Sequence, residues 1–186
     1  MRNKKISALL LTVLLLFALP VSAVFAADVH LKGGKNAEPS FYDGGLYLNA
    51  KGELSGLGNG DILVSIVATA DVTSTCINPG TGEHRPPGQN PAPLTVTGSQ
   101  AIPEDEFKNG TVPFNVSTAA PSPTIAGAPD CPNTLWVEAI EDLAFTTATI
   151  TVEQPVGTLV LTVYCTFNPA TLNGAVPGSR VTCTSS

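Results

Sequence analysis

The sequence predicts an all-β protein, an antiparallel β-sandwich of the immunoglobulin-like or jelly-roll-like kind, with a small barrel as the alternative. Three observations predict it: long stretches in which apolar and polar residues alternate, turn signals between short apolar runs, and no stretch with helical periodicity. Alternation with a period of two places successive side chains on opposite faces of a strand. Short strands separated by turns are typical of sandwiches and barrels.

The clearest strand extends from Asp61 to Cys76, where apolar residues recur at every second position and Ser, Thr and Asp occupy most of the others. One face therefore belongs to a core, and the other is mostly solvated. Because this strand is longer than most, we expect a bulge or bend near Ala70 and Asp71. The Gly-rich turn 58–61 predicts a hairpin that leads into it.

Other strands follow along the chain. Residues 159–167 show the second clean alternation, again with threonines on the polar side. Residues 135–140 and 145–152 are also strand-like, and their parity shifts near Glu141 and Asp142, which predicts a turn or bulge between them.

Proline marks the loops and one sheet edge. Residues 77–93 and 119–133 are dense in Pro, with Gly between, so neither segment is expected to form a regular element. Pro113 lies within the strand-like residues 112–116 and has no N–H to donate to a neighbouring strand. This strand is therefore predicted at a sheet edge.

The N-terminal segment has the pattern of a signal peptide. A basic start is followed by an apolar run over residues 8–19 and by a small-x-small cleavage site before Ala27. We predict a signal peptide over residues 1–26 and a single exported domain over residues 27–186, with an uncleaved anchor as the alternative. The apolar run is too short for a good transmembrane span, and the mature chain contains no other candidate.

Export also sets the charge of the mature chain. Removal of the signal peptide leaves six basic and fifteen acidic residues, and so a net charge of −9. Nucleic acids and anionic membrane surfaces bind clustered Lys and Arg, so the composition argues against both as partners. The acidic residues are scattered along the chain, which is typical of a solubilising surface rather than of a charged tail.

The four cysteines all lie in the mature chain, and an even number in an exported protein favours disulfides. Three connectivities are possible. We predict Cys165–Cys183, which joins the last two strands, and Cys76–Cys131, which joins the long strand to the second Pro-rich loop. No C-x-x-C pair occurs, so a thiolate metal site is not favoured, and no cofactor is expected.

Few residues are candidates for binding a ligand. His84 has the chemistry of a base or a metal ligand, but no partner nucleophile is specified, which favours a solvated loop position. Trp136 with Glu138, Glu141 or Asp142 has the residue types that bind or cleave a sugar, by stacking and by paired carboxylates. A lone tryptophan on a strand is nevertheless more often part of a core, and carboxylates beside a turn are more often solvated.

Two N-x-S/T tripeptides begin at Asn109 and Asn115. Each matches the acceptor for N-glycosylation, which applies only in a host that glycosylates exported proteins.

Three loop segments carry a resemblance to known proteins. They are Cys-Ile-Asn-Pro-Gly at 76–80, Pro-Gly-Gln-Asn-Pro at 87–91 and Asp-Cys-Pro-Asn at 130–133. These segments resemble loops in a group of small, functionally uncharacterised exported bacterial proteins, and the likeness covers most of the mature chain. The resemblance implies export and a β-rich domain, and no catalytic residue carries over from it.

Together these observations favour a non-enzymatic exported module with a structural or binding role at or outside the cell surface. Its partner would be an extracellular ligand or surface component that the sequence does not identify. The Pro-rich loops are the predicted binding face, because rigid scaffolds usually present function on loops. The alternatives are a carbohydrate-binding or carbohydrate-active protein and a subunit of an extracellular fibre, since sheet edges pair readily between chains.

Overall fold

The computed structural model describes residues 28–34, 37–82, 84–88 and 91–186, with the backbone alone for 84–86. The predicted signal peptide lies outside the described residues. The strands are β1 (His30–Leu31), β2 (Ser40–Asp43), β3 (Leu48–Ser55), β4 (Ile62–Ile77), β5 (His84–Pro87), β6 (Leu94–Ile102), β7 (Thr111–Ser117), β8 (Thr124–Ile125), β9 (Val137–Glu153), β10 (Leu159–Phe167), β11 (Gly174–Ala175) and β12 (Val181–Ser185). Two single-turn 3-10 helices occupy Glu104–Glu106 and Gly178–Arg180.

The strands form two antiparallel sheets that pack against each other, which confirms the predicted sandwich; the sheets do not close into a barrel. In sheet A, β3 lies between β7 on one side and β1 and β2 on the other, and β11 pairs with β2. In sheet B the order is β12-β10-β9-β4, with β6 and β5 on the far side of β4 and β8 beside β9. Within the described chain β7 pairs with β3 alone, which confirms the edge position predicted from Pro113.

The core lies between the inward faces of the two sheets. Every second residue of β4 from Ile62 to Ala70 is fully buried, as the alternation predicted. Phe41 of sheet A meets Phe167 of sheet B edge to face, with the ring centroids 5.0 Å apart. Such ring pairs stabilise a core beyond the area that they bury.

The pairing of β4 with β9 is interrupted by two bulges. The first lies at Ala70, where we expected one, and the extra residue is Thr146 on the partner strand. The second lies beside Ser74, where Glu141 is the extra residue. The parity shift near Glu141 is therefore a bulge within one continuous strand, which begins at Val137 rather than at residue 135.

The predicted hairpin into the long strand is wrong. β3 belongs to sheet A and β4 to sheet B, so the turn between them carries the chain from one sheet to the other. Gln154, which is 1% exposed, holds this crossing in place. Its Oε1 accepts from Gly58 N at 3.0 Å, and its Nε2 donates to the carbonyls of Gly58 and Gly60 at 2.9 and 3.0 Å.

The outer face of sheet B carries rows of hydroxyl groups. Across β6, β4, β9, β10 and β12 the first row is Thr95, Thr69, Thr147, Thr166 and Thr182, and the second is Thr97, Val67, Thr149, Tyr164 and Thr184. Threonine favours strands because its branched Cβ packs well on a pleated surface. Tyr164 and Val67 are the exposed large hydrophobic side chains of these two rows, at 45% and 43%.

Candidate functional site

Outward side chains of neighbouring strands in sheet A form an open groove of about 450 Å³. We name it the tyrosine groove, and its lining includes Tyr42, Tyr47, Asn49, Lys51, Asn115 and Ser117. Strand pairing sets this arrangement. Asn49 lies opposite Tyr42 on one side and opposite Ser117 on the other. In the next row Lys51 lies between Ser40 and Asn115.

The two tyrosines present partly exposed rings to the groove. Tyr42 is 47% exposed and Tyr47 is 38% exposed. Tyr42 points outward because Phe41 and Asp43 on either side of it are buried. Tyr47 packs against Gly44, where a Cβ atom would lie 2.3 Å from the ring. A side chain at position 44 would therefore displace the ring, so the glycine is needed for this packing.

A buried carboxylate holds the turn that carries Tyr47. Asp43 is 1% exposed, and its Oδ1 accepts from Gly45 N at 2.8 Å. Its Oδ2 accepts from the hydroxyl of Thr171. Thr171 Oγ1 in turn accepts from Phe145 N at 2.8 Å, which ties the turn to sheet B. A buried carboxylate is tolerated because it is hydrogen-bonded in this way.

Asn49 forms the floor of the groove and is only 8% exposed. Its Nδ2 donates to Asn115 Oδ1 at 2.7 Å and to Ser117 Oγ at 2.8 Å. These bonds fix the amide, and its Oδ1 accepts no hydrogen bond from the described residues. The groove therefore contains an oriented acceptor that a ligand hydroxyl can use.

The charge of the groove comes from one side chain. Lys51 is exposed, and no carboxylate or imidazole is among the residues that line the groove. The nearest acid on the same face of β3, Glu53, is paired with Lys32 at 2.7 Å. The groove is thus weakly cationic on a chain whose net charge is negative, and its lining contains no carboxylate, imidazole or thiolate that would bind a metal ion strongly.

The predicted disulfides are both present. Cys76 bonds to Cys131 with the Cα atoms 5.6 Å apart, and Cys165 bonds to Cys183 with the Cα atoms 4.1 Å apart. The second bridge crosses directly between paired residues of β10 and β12. The first joins the end of β4 to the second Pro-rich loop, which is the pairing that the sequence predicted.

Glu138 and Asp142, two of the carboxylates proposed from sequence, lie apart along β9. Glu138 is 0% exposed, and its two oxygens accept from Ser74 Oγ at 2.7 Å and from Asp130 N at 3.3 Å. Asp142 lies four residues further along β9, and four residues of strand span roughly 13 Å. Paired carboxyl groups of glycosidases are only about 5 to 9.5 Å apart. Glu138 is sealed from solvent, so a ligand cannot reach it in this structure.

The other sequence candidates lie elsewhere. Trp136 is half-buried just before β9, and its backbone N donates to Asn133 O at 3.1 Å. His84 begins β5, where it pairs with Ile77. Asp142 Oδ1 is buried without a hydrogen-bond partner among the described residues, close to Gly45. None of the three lines the tyrosine groove.

The two glycosylation tripeptides differ in their surroundings. Asn109 is exposed in a turn, at a φ of 55°. Asn115 is exposed on β7 and lines the tyrosine groove. A glycan on Asn115 would therefore occupy the groove itself, whereas Asn109 is not among the residues that line it.

Sequence reasoning missed the groove. Tyr42 and Tyr47 belong to short segments whose alternation indicates strands but no site. Asn115 and Ser117 are more than sixty residues away from Asn49 in the chain and reach it through the pairing of β3 with β7. A search for outward-facing tyrosines beside amide side chains on short strands is the one signal that would have selected these residues.

No protein-family model, curated protein or solved structure matches the chain. No group of three or more His, Cys, Asp or Glu side chains among the described residues is arranged to hold a metal ion. In the same part of the chain no helix is long and apolar enough to span a membrane.

Proposed function

We propose that the chain is an exported, non-enzymatic binding module that acts at or outside the cell surface through its tyrosine groove. The observation that carries this proposal is a pair of partly exposed tyrosine rings beside a fixed amide, with Tyr42 and Asn49 on the paired strands β2 and β3 and Tyr47 in the turn between them. Concave surfaces with aromatic walls and a few oriented polar groups are the usual form of ligand sites. Rigid strands also reduce the entropy lost when a ligand binds.

Two further features support this proposal. The disulfides are typical of an oxidising compartment, which agrees with the signal peptide predicted from the sequence. General acid–base catalysis near neutral pH most often uses histidine or a carboxylate, and neither lines the groove. The binding role therefore explains the composition of the groove better than a catalytic role does.

A comparison of two tyrosine variants tests the proposal. The full chain is purified from the exported fraction and screened against immobilised oligosaccharides, peptides and lipid vesicles. We expect one of these classes of ligand to bind. The double variant with Tyr42→Ala and Tyr47→Ala should bind it about tenfold or more weakly, which corresponds to roughly 1.4 kcal/mol. Tyr164→Ala is the matched control, because it removes a similarly exposed ring from the opposite sheet. The proposal would be contradicted if the double variant bound the ligand as well as the wild type does, or if none of the three classes of ligand bound the wild type.

A further inference from the structure

The tyrosine groove has the chemistry of a sugar site. We infer that its ligand is a short neutral or singly anionic oligosaccharide, an inference that rests on the binding function proposed above. Three properties of the groove support this ligand: the rings of Tyr42 and Tyr47, the polar groups at its floor, and its sparse charge.

The rings match one part of a sugar. A pyranose has a C–H face that packs on an aromatic ring and a rim of hydroxyl groups that need hydrogen bonds. Tyrosine has the same dual character, with an apolar body and a polar tip. Tyr47 is held against Gly44, and Tyr42 lies on β2 beside it, so both rings are available without rearrangement of the backbone.

The floor of the groove matches the hydroxyl rim. A sugar hydroxyl both donates and accepts, so it needs groups of both kinds close together. Asn49 Oδ1 is an oriented acceptor, because the amide nitrogen is held by Asn115 and Ser117. Lys51 lies in the adjacent row and brings an ammonium group with three donors.

The charge excludes other classes of ligand. One lysine cannot supply the clustered positive charge that nucleic acids or anionic membranes require. No carboxylate among the lining residues would attract a cation. A single ammonium group is compatible with a neutral sugar and can also pair with the carboxylate of one uronic acid.

A linear peptide fits less well. Extended peptides that bind through their backbone add a strand to an open sheet edge, where unpaired backbone groups are available. The groove instead lies on the face of sheet A, and β3 at its centre is paired with neighbours on both sides. Recognition there has to use side chains, which favours a ligand that carries many hydroxyl groups of its own.

Titration with defined sugars tests the inference. The probes are the neutral tetrasaccharides cellotetraose, mannotetraose and tetra-N-acetylchitotetraose and a xylotriose that carries one glucuronic acid, each titrated to about 10 mM, a range that includes weak millimolar affinities. We expect at least one to bind the exported chain, Tyr42→Ala to weaken it about tenfold, and Tyr42→Phe to stay within about threefold, because Phe keeps the ring that stacks. Tyr164→Ala should bind like the wild type.

The outcomes separate this inference from the proposed function. If no sugar binds but a peptide or vesicle binds in a way that Tyr42→Ala abolishes, the groove is a binding site and the sugar inference is wrong. If a sugar binds equally well to Tyr42→Ala and to the wild type, the sugar does not bind in the groove. The sugar inference and the proposed function of the groove are then both wrong. Circular dichroism of each variant excludes unfolding as the reason for lost binding.

Discussion

The hydroxyl of Ser74 donates a 2.7 Å hydrogen bond to Glu138 Oε1, and neither residue is more than 2% exposed. Glu138 also lies opposite Cys76 in the pairing of β4 with β9, and Cys76 is bonded to Cys131. Its second oxygen accepts from Asp130 N. A buried carboxylate and a disulfide thus anchor the second Pro-rich loop to sheet B at the same place.

Replacing Glu138 with Met should destabilise the protein. The side chain keeps its length but loses both acceptors, so the buried Ser74 hydroxyl and the partly buried Asp130 N each lose their partner. Such groups cost about 1–3 kcal/mol each. The free energy of unfolding in urea measures the loss. Glu141→Gln is the control, because the one side-chain hydrogen bond of this exposed neighbour within the described part of the chain is to the Thr75 hydroxyl, and we expect a change within about 0.5 kcal/mol.

The same pair allows a test of direct coupling. Adding Ser74→Ala to Glu138→Met removes one of the two unpaired donors, so part of the lost stability should return. A double variant that is no more stable than Glu138→Met alone would show that the unpaired Ser74 hydroxyl has no measurable cost, and the predicted recovery would then be wrong.

The two disulfides should contribute differently to the free energy of unfolding. Cys76–Cys131 closes a separation of 55 residues, and Cys165–Cys183 one of 18. In the loop-entropy model, replacing the first pair with Ala lowers the free energy of unfolding by roughly 4 kcal/mol and replacing the second by roughly 3 kcal/mol. Unfolding under non-reducing conditions measures both. A larger loss for the Cys165–Cys183 pair would show that burial in the core outweighs loop length.

The direct check on the pairing itself is peptide mapping of the unreduced protein. We expect one cross-linked peptide pair that contains Cys76 and Cys131 and another that contains Cys165 and Cys183. A bond between Cys76 and Cys165 would place both bridges inside the sandwich and would remove the anchor of the second Pro-rich loop.

Alternation predicted the strands because each strand has one buried and one solvated face. The long strand expected over residues 61–76 is β4, Ile62–Ile77, and the bulge expected near Ala70 is present. Alternation does not say which sheet a strand joins, since the same parity fits either one. The hairpin predicted at residues 58–61 was wrong for this reason. That turn connects the two sheets instead of two neighbouring strands of one sheet.

The candidate site could not be predicted because it depends on pairing between distant strands. Trp136 and Glu138 attracted interest as a local cluster, yet Glu138 is sealed inside the protein. Asn49 has no unusual sequence context, and it becomes part of a site only when β7 brings Asn115 and Ser117 beside it. Sequence patterns identify functional side chains that are neighbours in the chain. They miss a site whose side chains come from distant segments that strand pairing brings together.

Export predicts a defined N-terminus. We expect the secreted protein to begin at or near Ala27, because a basic start, an apolar run and a small-x-small site precede that residue. N-terminal sequencing of material from outside the cytoplasm measures it. Recovery of a cytoplasmic chain that still begins with Met1 would contradict export and would also remove the oxidising environment that the disulfides require.

The last prediction concerns Gly98, where β6 meets the end of β7. A Cβ atom there would lie 1.8 Å from the backbone oxygen of Ser117, so Gly98→Ala must push that backbone away. Overpacking of this kind costs about 1–3 kcal/mol. Ser117 Oγ accepts from Asn49, so the same shift should weaken ligand binding in the tyrosine groove. Gly178→Ala, with no atom within 4 Å, is the control, and equal stability of the two variants would refute the close contact.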